Sequence, residues 1–180
     1  MTIISKIDLD LFTVIWNQMQ NQSTPQVHLQ ILRWLEQTWK AGDTRLLLMA
    51  FRACGKSTCV AIFCAWLLYQ NPDIRIMVIA ADDMLARKMV RNVRRILERH
   101  PLTIGLIPKK ADQWASDRFT VQRQMELRDP SMLARGITSN VTGSRADIII
   151  YDDVEVPNTS NTTEARDDLR EKLDETRFIL

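Results

Sequence analysis

Arg45-Leu-Leu-Leu-Met-Ala-Phe-Arg-Ala-Cys-Gly-Lys-Ser-Thr58 is the stretch that decides how this chain is read. The apolar run from Leu46 to Met49 breaks into a short loop, and Gly55-Lys56-Ser57 then opens a long amphipathic pattern. Strand, loop and helix in that order are what a phosphate-binding P-loop requires. Ala53, Cys54, Gly55, Lys56, Ser57 and Thr58 are the expected cradle, with backbone N–H groups and the positive end of the helix dipole facing the phosphates. Lys56 can reach the β- and γ-phosphates as a point charge, and the Ser57 hydroxyl can ligate Mg²⁺. In the pattern G-x-x-x-x-G-K-[ST] the first glycine falls on Ala50, so the loop closes only if the dihedrals there are ordinary. The rival reading is a plain strand-to-helix turn.

Working outward, the 180 residues are 46% apolar and 26% charged, as in ordinary globular chains, and one domain is the default. A net charge of +2 does not argue for nucleic acid by itself, so any basic surface must be local. Cys54, Cys59 and Cys64 match no zinc spacing, and a disulfide framework does not suit a chain of cytosolic character. Cys59 and Cys64 read as core residues; Cys54, in the loop, reads as a thiol that could react beside bound phosphate. The sequence shows neither a signal-peptide pattern nor an 18-residue apolar run, so a cytoplasmic location without a membrane partner is expected.

Residues 1–22 read as a helix with Ile7, Leu11, Val14, Ile15 and Met19 at helical spacing. A second helix, residues 25–40, starts at Pro25 with Thr24 as its cap and turns Leu29, Leu32 and Leu35 or Trp39 inward. Gln26 and Gln30 on it are candidate adenine readers, since an amide offers one donor and one acceptor edge; a solvated helix face is the alternative. The helix after the loop runs to Tyr69, and residues 74–80 form a buried strand. Asp82 or Asp83 then caps a helix ending near Arg99, with Leu85, Met89, Val93 and Ile96 on one face and Arg87, Arg91, Arg94 and Arg95 on another. That basic face suits either a duplex backbone or plain solvent. The βαβα order predicts a parallel sheet with helices on its faces. Residues 101–118 are irregular, and residues 119–137 read as a hairpin around Arg128-Asp-Pro-Ser131.

Asp147-Ile-Ile-Ile-Tyr-Asp152-Asp153-Val-Glu155 is an apolar strand ending in carboxylates, as a Walker B strand requires. Asp152 would hold Mg²⁺ beside Ser57, while Asp153 and Glu155 compete to orient and deprotonate the attacking water. In an extended chain 153 and 155 share a side, so spacing leaves that choice open. Arg145, expected in a loop at the carboxyl edge of the sheet, and Arg52 are candidate arginine fingers; structural ion pairs are the alternative for both. After Asn158 a helix is expected to about Glu175, and Arg177-Phe-Ile-Leu180 reads as the start of another strand.

Three stretches together resemble the ATPase domain of phage terminase large subunits, the DNA-packaging motors, and most of all the short-tailed podovirus type. They are Phe51-Arg-Ala-Cys-Gly-Lys-Ser57, Thr142-Gly-Ser-Arg-Ala-Asp147 and Asp152-Asp-Val-Glu-Val-Pro157 with Asn158. The resemblance implies an α/β three-layer sandwich of the additional-strand (ASCE) P-loop NTPase class, with a mainly parallel sheet. Residues 1–44 would be a helical lead-in and residues 45–180 the ATPase core, cut before its coupling strand and without the nuclease domain. It implies ATP and Mg²⁺ as ligands, ATP hydrolysis driving double-stranded DNA into a procapsid in the host cytoplasm, and no nuclease activity in this piece. The implied partners are the portal protein, the small terminase subunit and a homo-oligomeric ring, commonly five-membered, with the isolated piece monomeric. Arg52 would sense the γ-phosphate. The family often has Asp-Glu at the end of this strand, and Asp152-Asp153-Val-Glu155 departs from that, which leaves the base open between Glu155, taken first, and Asp153. A superfamily 2-like helicase domain is the rival enzyme, though its acidic box is not clean here. A nucleotide-gated ring-assembly module is the rival from another class.

Overall fold

The computed structural model describes residues 6–110, 113–139, 141 and 143–180. Strand β1, Ile76–Ala80, is buried at every position because it lies inside the sheet. It pairs in parallel with β3, Met132–Gly136, on one side and with β4, Ile148–Asp152, on the other. The short β2, Arg118–Phe119, joins the far edge of β3 antiparallel, giving the order β2-β3-β1-β4. The expected hairpin is thus present as an antiparallel pair, with one arm cut to two residues. Register brings Ala80, Gly136 and Asp152 level at the carboxyl end of the parallel strands.

Alternate residues of these strands face two cores. Ile76, Val78, Ala80, Met132 and Ala134 face the larger one, built with helices α1 (Leu9–Met19), α2 (Gln26–Ala41), α3 (Lys56–Gln70) and α4 (Asp83–Arg99). Met77, Ile79 and Leu133 face the smaller one, closed by Ile137, Val141, Ala146 and Leu169 of helix α6, Thr163–Glu175. A four-residue helix α5, Pro157–Ser160, precedes α6. The fold is α/β, with a four-stranded mixed sheet and flanking helices. No helix among the described residues is long and apolar enough to cross a membrane.

Several expectations need correction. Leu46–Met49 does not form a strand: no described strand pairs with it, and Leu47 and Met49 are about four-fifths exposed, at 79% and 80%. Helix α3 is not amphipathic, because every residue from Ala61 to Leu68 is buried; α1, α2 and α4 pack around it. The inward face of α1 is Leu9, Phe12 and Trp16 rather than Leu11 and Met19, which are exposed. The buried stripe lies one residue out of phase with Leu11, Ile15 and Met19, and residues 1–5 of the expected helix lie outside the described residues. Pro25 itself is the N-cap of α2, and the Thr24 hydroxyl instead accepts from Asn17 Nδ2 at 2.9 Å. Leu29 is half-buried and Trp39 partly exposed, while Ile31, Leu32 and Leu35 carry the contact. Arg177–Leu180 does not form a strand: Thr176–Phe178 is a 3-10 turn, which sends Ile179 into the smaller core and leaves Phe178 exposed.

The α4 N-terminus is locked to the carboxyl end of β3. Asp82 caps the helix through Leu85 N–H, and Asp83 Oδ1 accepts from Gly136 N–H at 2.6 Å. A Cβ on Gly136 would sit 2.9 Å from Asp83 N, so this approach requires glycine. At the other end, fully buried His100 ties α4 to α1. Its Nε2–H donates to Phe12 O at 3.0 Å, its Nδ1 accepts from Leu102 N–H at 3.2 Å, and its ring stacks on Phe12 at 3.8 Å.

Burial lowers the His100 pKa, with the bond to Phe12 opposing in part. The folded value lies below the unfolded one near 6.5, so this contribution is complete above that pH and is lost as pH falls through the folded value. Unfolding free energy measured by urea titration is therefore expected to fall between pH 7 and 5. His100→Gln, which cannot take up the proton, is expected to flatten that decline.

Candidate functional site

The loop before α3 is built by two left-handed residues. Ala53 has φ +65° and Gly55 φ +85°, whereas Ala50 stays out of that region, so its side chain is no obstacle to closure. A Cβ on Gly55 would also meet the His28 ring, which would have to move aside. That nitrogen donates to Cys54 O at 2.9 Å, tying the loop to α2. Lys56 Nζ donates to Ala50 O at 3.0 Å, closing the loop on itself. Cys59 N–H bonds Gly55 O, which leaves the amides of Lys56, Ser57 and Thr58 in the first turn of α3 without helical partners, at its positive end. Ser57 and Thr58 are exposed there.

Asp152 stands at the carboxyl end of β4, half-buried. Burial raises its pKa, the charge of Asp153 raises it further, and Lys56 pulls it back down. Lys56 and Asp152 therefore lie within electrostatic reach, although 96 residues separate them in sequence. Asp153 takes φ +48°, a conformation Asp tolerates better than most residues, and the chain is not extended across 152–155. Asp153 and Glu155 are both exposed, with Val154 between them packed on the smaller core, so the choice between the two stays open.

The remaining candidates divide. Arg52 is exposed in the loop itself. Arg145 is not at the carboxyl edge, as expected, but precedes the start of β4. Its neighbours anchor that end: Ala146 N–H bonds Ile179 O, and Asp147 N–H bonds Arg75 O. The Arg75 guanidinium grips Asp147 at 2.8 and 3.0 Å and holds its carboxyl below the usual range. Because β4 runs parallel to β1, its own length puts about 13 Å between its start and Asp152. Arg145 is thus kept from the Asp152 of its own chain. Thr142, first residue of the same motif, lies outside the described residues.

Gln26 and Gln30 are exposed, and His28, about 200° around the helix from Gln26, is the α2 residue at the loop. The signal for His28 in sequence is only its place upstream of the loop. A cleft of about 640 Å³ opens beside it, lined by Trp16, Asn17, Gln20, Thr58 and Arg95 among others, without Gln26 or Gln30. Cys54 is buried rather than an accessible thiol, and burial pushes the Cys59 and Cys64 thiols to about 11 and about 12.

Among the described residues no three of His, Cys, Asp and Glu cluster closely enough to hold a metal by themselves. Asp152 and the exposed Ser57 hydroxyl are hard oxygen donors, the type that oxygen-seeking divalent cations take.

No family model matches the chain. Over 140 residues, 77% of its length, it is 35% identical to the terminase large subunit of Enterobacteria phage T3. The match covers 24% of that relative, so the chain spans about a quarter of the length of the curated protein it resembles.

Gly55→Ala is expected to lower stability by about 1–2 kcal/mol for the left-handed strain alone. Displacement of His28 adds to that. Urea denaturation beside a His28→Ala variant reads it; an unchanged midpoint in Gly55→Ala would contradict this loop geometry.

Proposed function

This chain belongs to the phage terminase large-subunit family, and we propose that it carries the ATPase core of a DNA-packaging motor. On this reading residues 45–58 are the P-loop of an ASCE-type domain, β4 is its Walker B strand, and residues 1–44 are the helical lead-in. The observation that carries it is that the Lys56 ammonium, though it forms no ion pair with Asp152 among the described residues, lies near enough to lower the pKa of that strand-end carboxylate.

In the proposed site, the free amides at the start of α3 and the Lys56 ammonium bind the β- and γ-phosphates, and Arg52 reads the γ-phosphate from within the loop. Ser57 and Asp152 would hold Mg²⁺, which when bound offsets charge on the phosphate oxygens. Asp153 is close enough to raise the pKa of Asp152, which suits a second negative charge beside the metal. Glu155, two residues on, is left to orient and deprotonate the attacking water. Arg145 can complete only a neighbour's site, which suits a homo-oligomeric ring, five-membered by family habit, docked on the portal with the small subunit and threaded by double-stranded DNA.

Lys56→Ala is expected to abolish Mg²⁺–ATP-analogue binding in calorimetry while the circular dichroism spectrum is kept. Glu155→Gln is expected to retain binding and lose turnover by about a hundredfold or more. Unaltered binding in Lys56→Ala would sink the nucleotide-site reading. Full turnover in Glu155→Gln would move the base to Asp153.

A further inference from the structure

Helix α4 gathers charge that the rest of the chain does not share. Its 17 residues hold six Lys or Arg and two acids, net +4, whereas the whole chain is net +2, so everything else sums to −2. Neither acid is free to neutralise the face. Asp83 accepts from Gly136 N–H and the Ser139 hydroxyl, and Glu98 accepts from Trp114 Nε1–H at 2.6 Å and pairs with Arg94 at 3.4 Å. Lys88, Arg91, Arg95 and Arg99 are exposed and make no ion pair among the described residues.

These four follow one helical row at spacings of three, four and four, a rail about 16 Å long at 1.5 Å per residue. They line a groove of about 450 Å³ whose other walls are Asn92, Arg94 and Glu98. That lining decides the class of partner. Among the described residues no aromatic side chain lines the groove, Trp114 being engaged with Glu98, so it lacks the stacking platform single-stranded nucleic acid needs. No apolar side chain among the described residues lines it either, so it lacks the anchors on which protein interfaces depend. Arginine dominates, and its planar fork matches phosphate oxygens. Sixteen ångströms of duplex axis carry roughly five phosphates of each strand, and a straight rail meets those that face it.

We propose that the solvent face of α4, along Lys88, Arg91, Arg95 and Arg99, is a sequence-independent contact for the phosphate backbone of double-stranded DNA. It rests on the motor reading only for the identity of the duplex; the charge and geometry stand apart from it. Arg95 and Asn92 also line the cleft beside Thr58, so the groove and that cleft adjoin along α4.

The test is fluorescence anisotropy of the 180-residue chain on a labelled random-sequence duplex, titrated at several KCl concentrations. Arg91→Ala with Arg99→Ala avoids the shared cleft and puts the best helix former at exposed sites, so the fold is kept. The expected result is a tenfold or greater loss of affinity at low salt, with the slope of log K against log salt reduced by about two. The Arg→Lys pair is expected to restore the slope. Mg²⁺–nucleotide binding is expected to be unchanged, so failure of the rail and failure of the nucleotide site read separately. Parental affinity and slope in the double alanine variant would overturn the proposal. So would binding of poly-glutamate in preference to duplex, which would assign the face to an acidic protein.

Discussion

Beyond its first turn helix α3 is enclosed by its neighbours, and the candidate site depends on that. Cys59 and every residue from Ala61 to Leu68 are buried, and each large apolar side chain among them contributes about 1.5–3 kcal/mol by leaving water. A helix held by α1, α2 and α4 together cannot slide or roll without opening several contacts at once. Its first turn is therefore fixed in place, and the loop that precedes it has only one way to arrive. Gly55 makes the left-handed turn, and His28 and Lys56 then close the loop by two bonds to its carbonyls. The orientation of the amides at Lys56, Ser57 and Thr58 follows from burial elsewhere, not from any contact at the site.

The sheet supplies the second fixed point. Three parallel strands in register align their carboxyl ends, and β4 is held at its start by the Arg75–Asp147 pair. Asp152 is consequently placed by an anchor at the far end of its own strand. The same anchoring removes Arg145 from that edge, and so separates two residues that stand only seven apart in sequence.

What was legible in the sequence tracks how local the determining forces are. The helices over 56–70 and 83–99, the strands at 76–80 and 148–152, and a cap at Asp82 or Asp83 were readable because capping, proline punctuation and short apolar runs act within a few residues. The phase of α1 was not, because Leu11, Val14 and Ile15 offer as good a stripe as Leu9, Phe12 and Trp16. Only the partners Glu36, Trp66 and His100, far away in sequence, choose between them. Leu46–Met49 carries a strand's composition, but a strand exists only with a partner. Among site residues, the loop and Asp152 were visible as motifs. The approach of His28 was not, since it depends on how α2 packs, and the exposure of Gln26 and Gln30 follows from the same packing.

The central claim is that the loop and the strand end act as one site, joined through Lys56 and Asp152. A double-mutant cycle on Mg²⁺–ATP-analogue affinity, with Lys56→Met, Asp152→Asn and the pair, measures that union directly. If the two residues share a ligand, their effects are coupled, and the double variant departs from the sum of the singles by about 1 kcal/mol or more. Effects that simply add would mean that Lys56 and Asp152 serve separate purposes, and that the site described here is two unrelated features of one sheet edge.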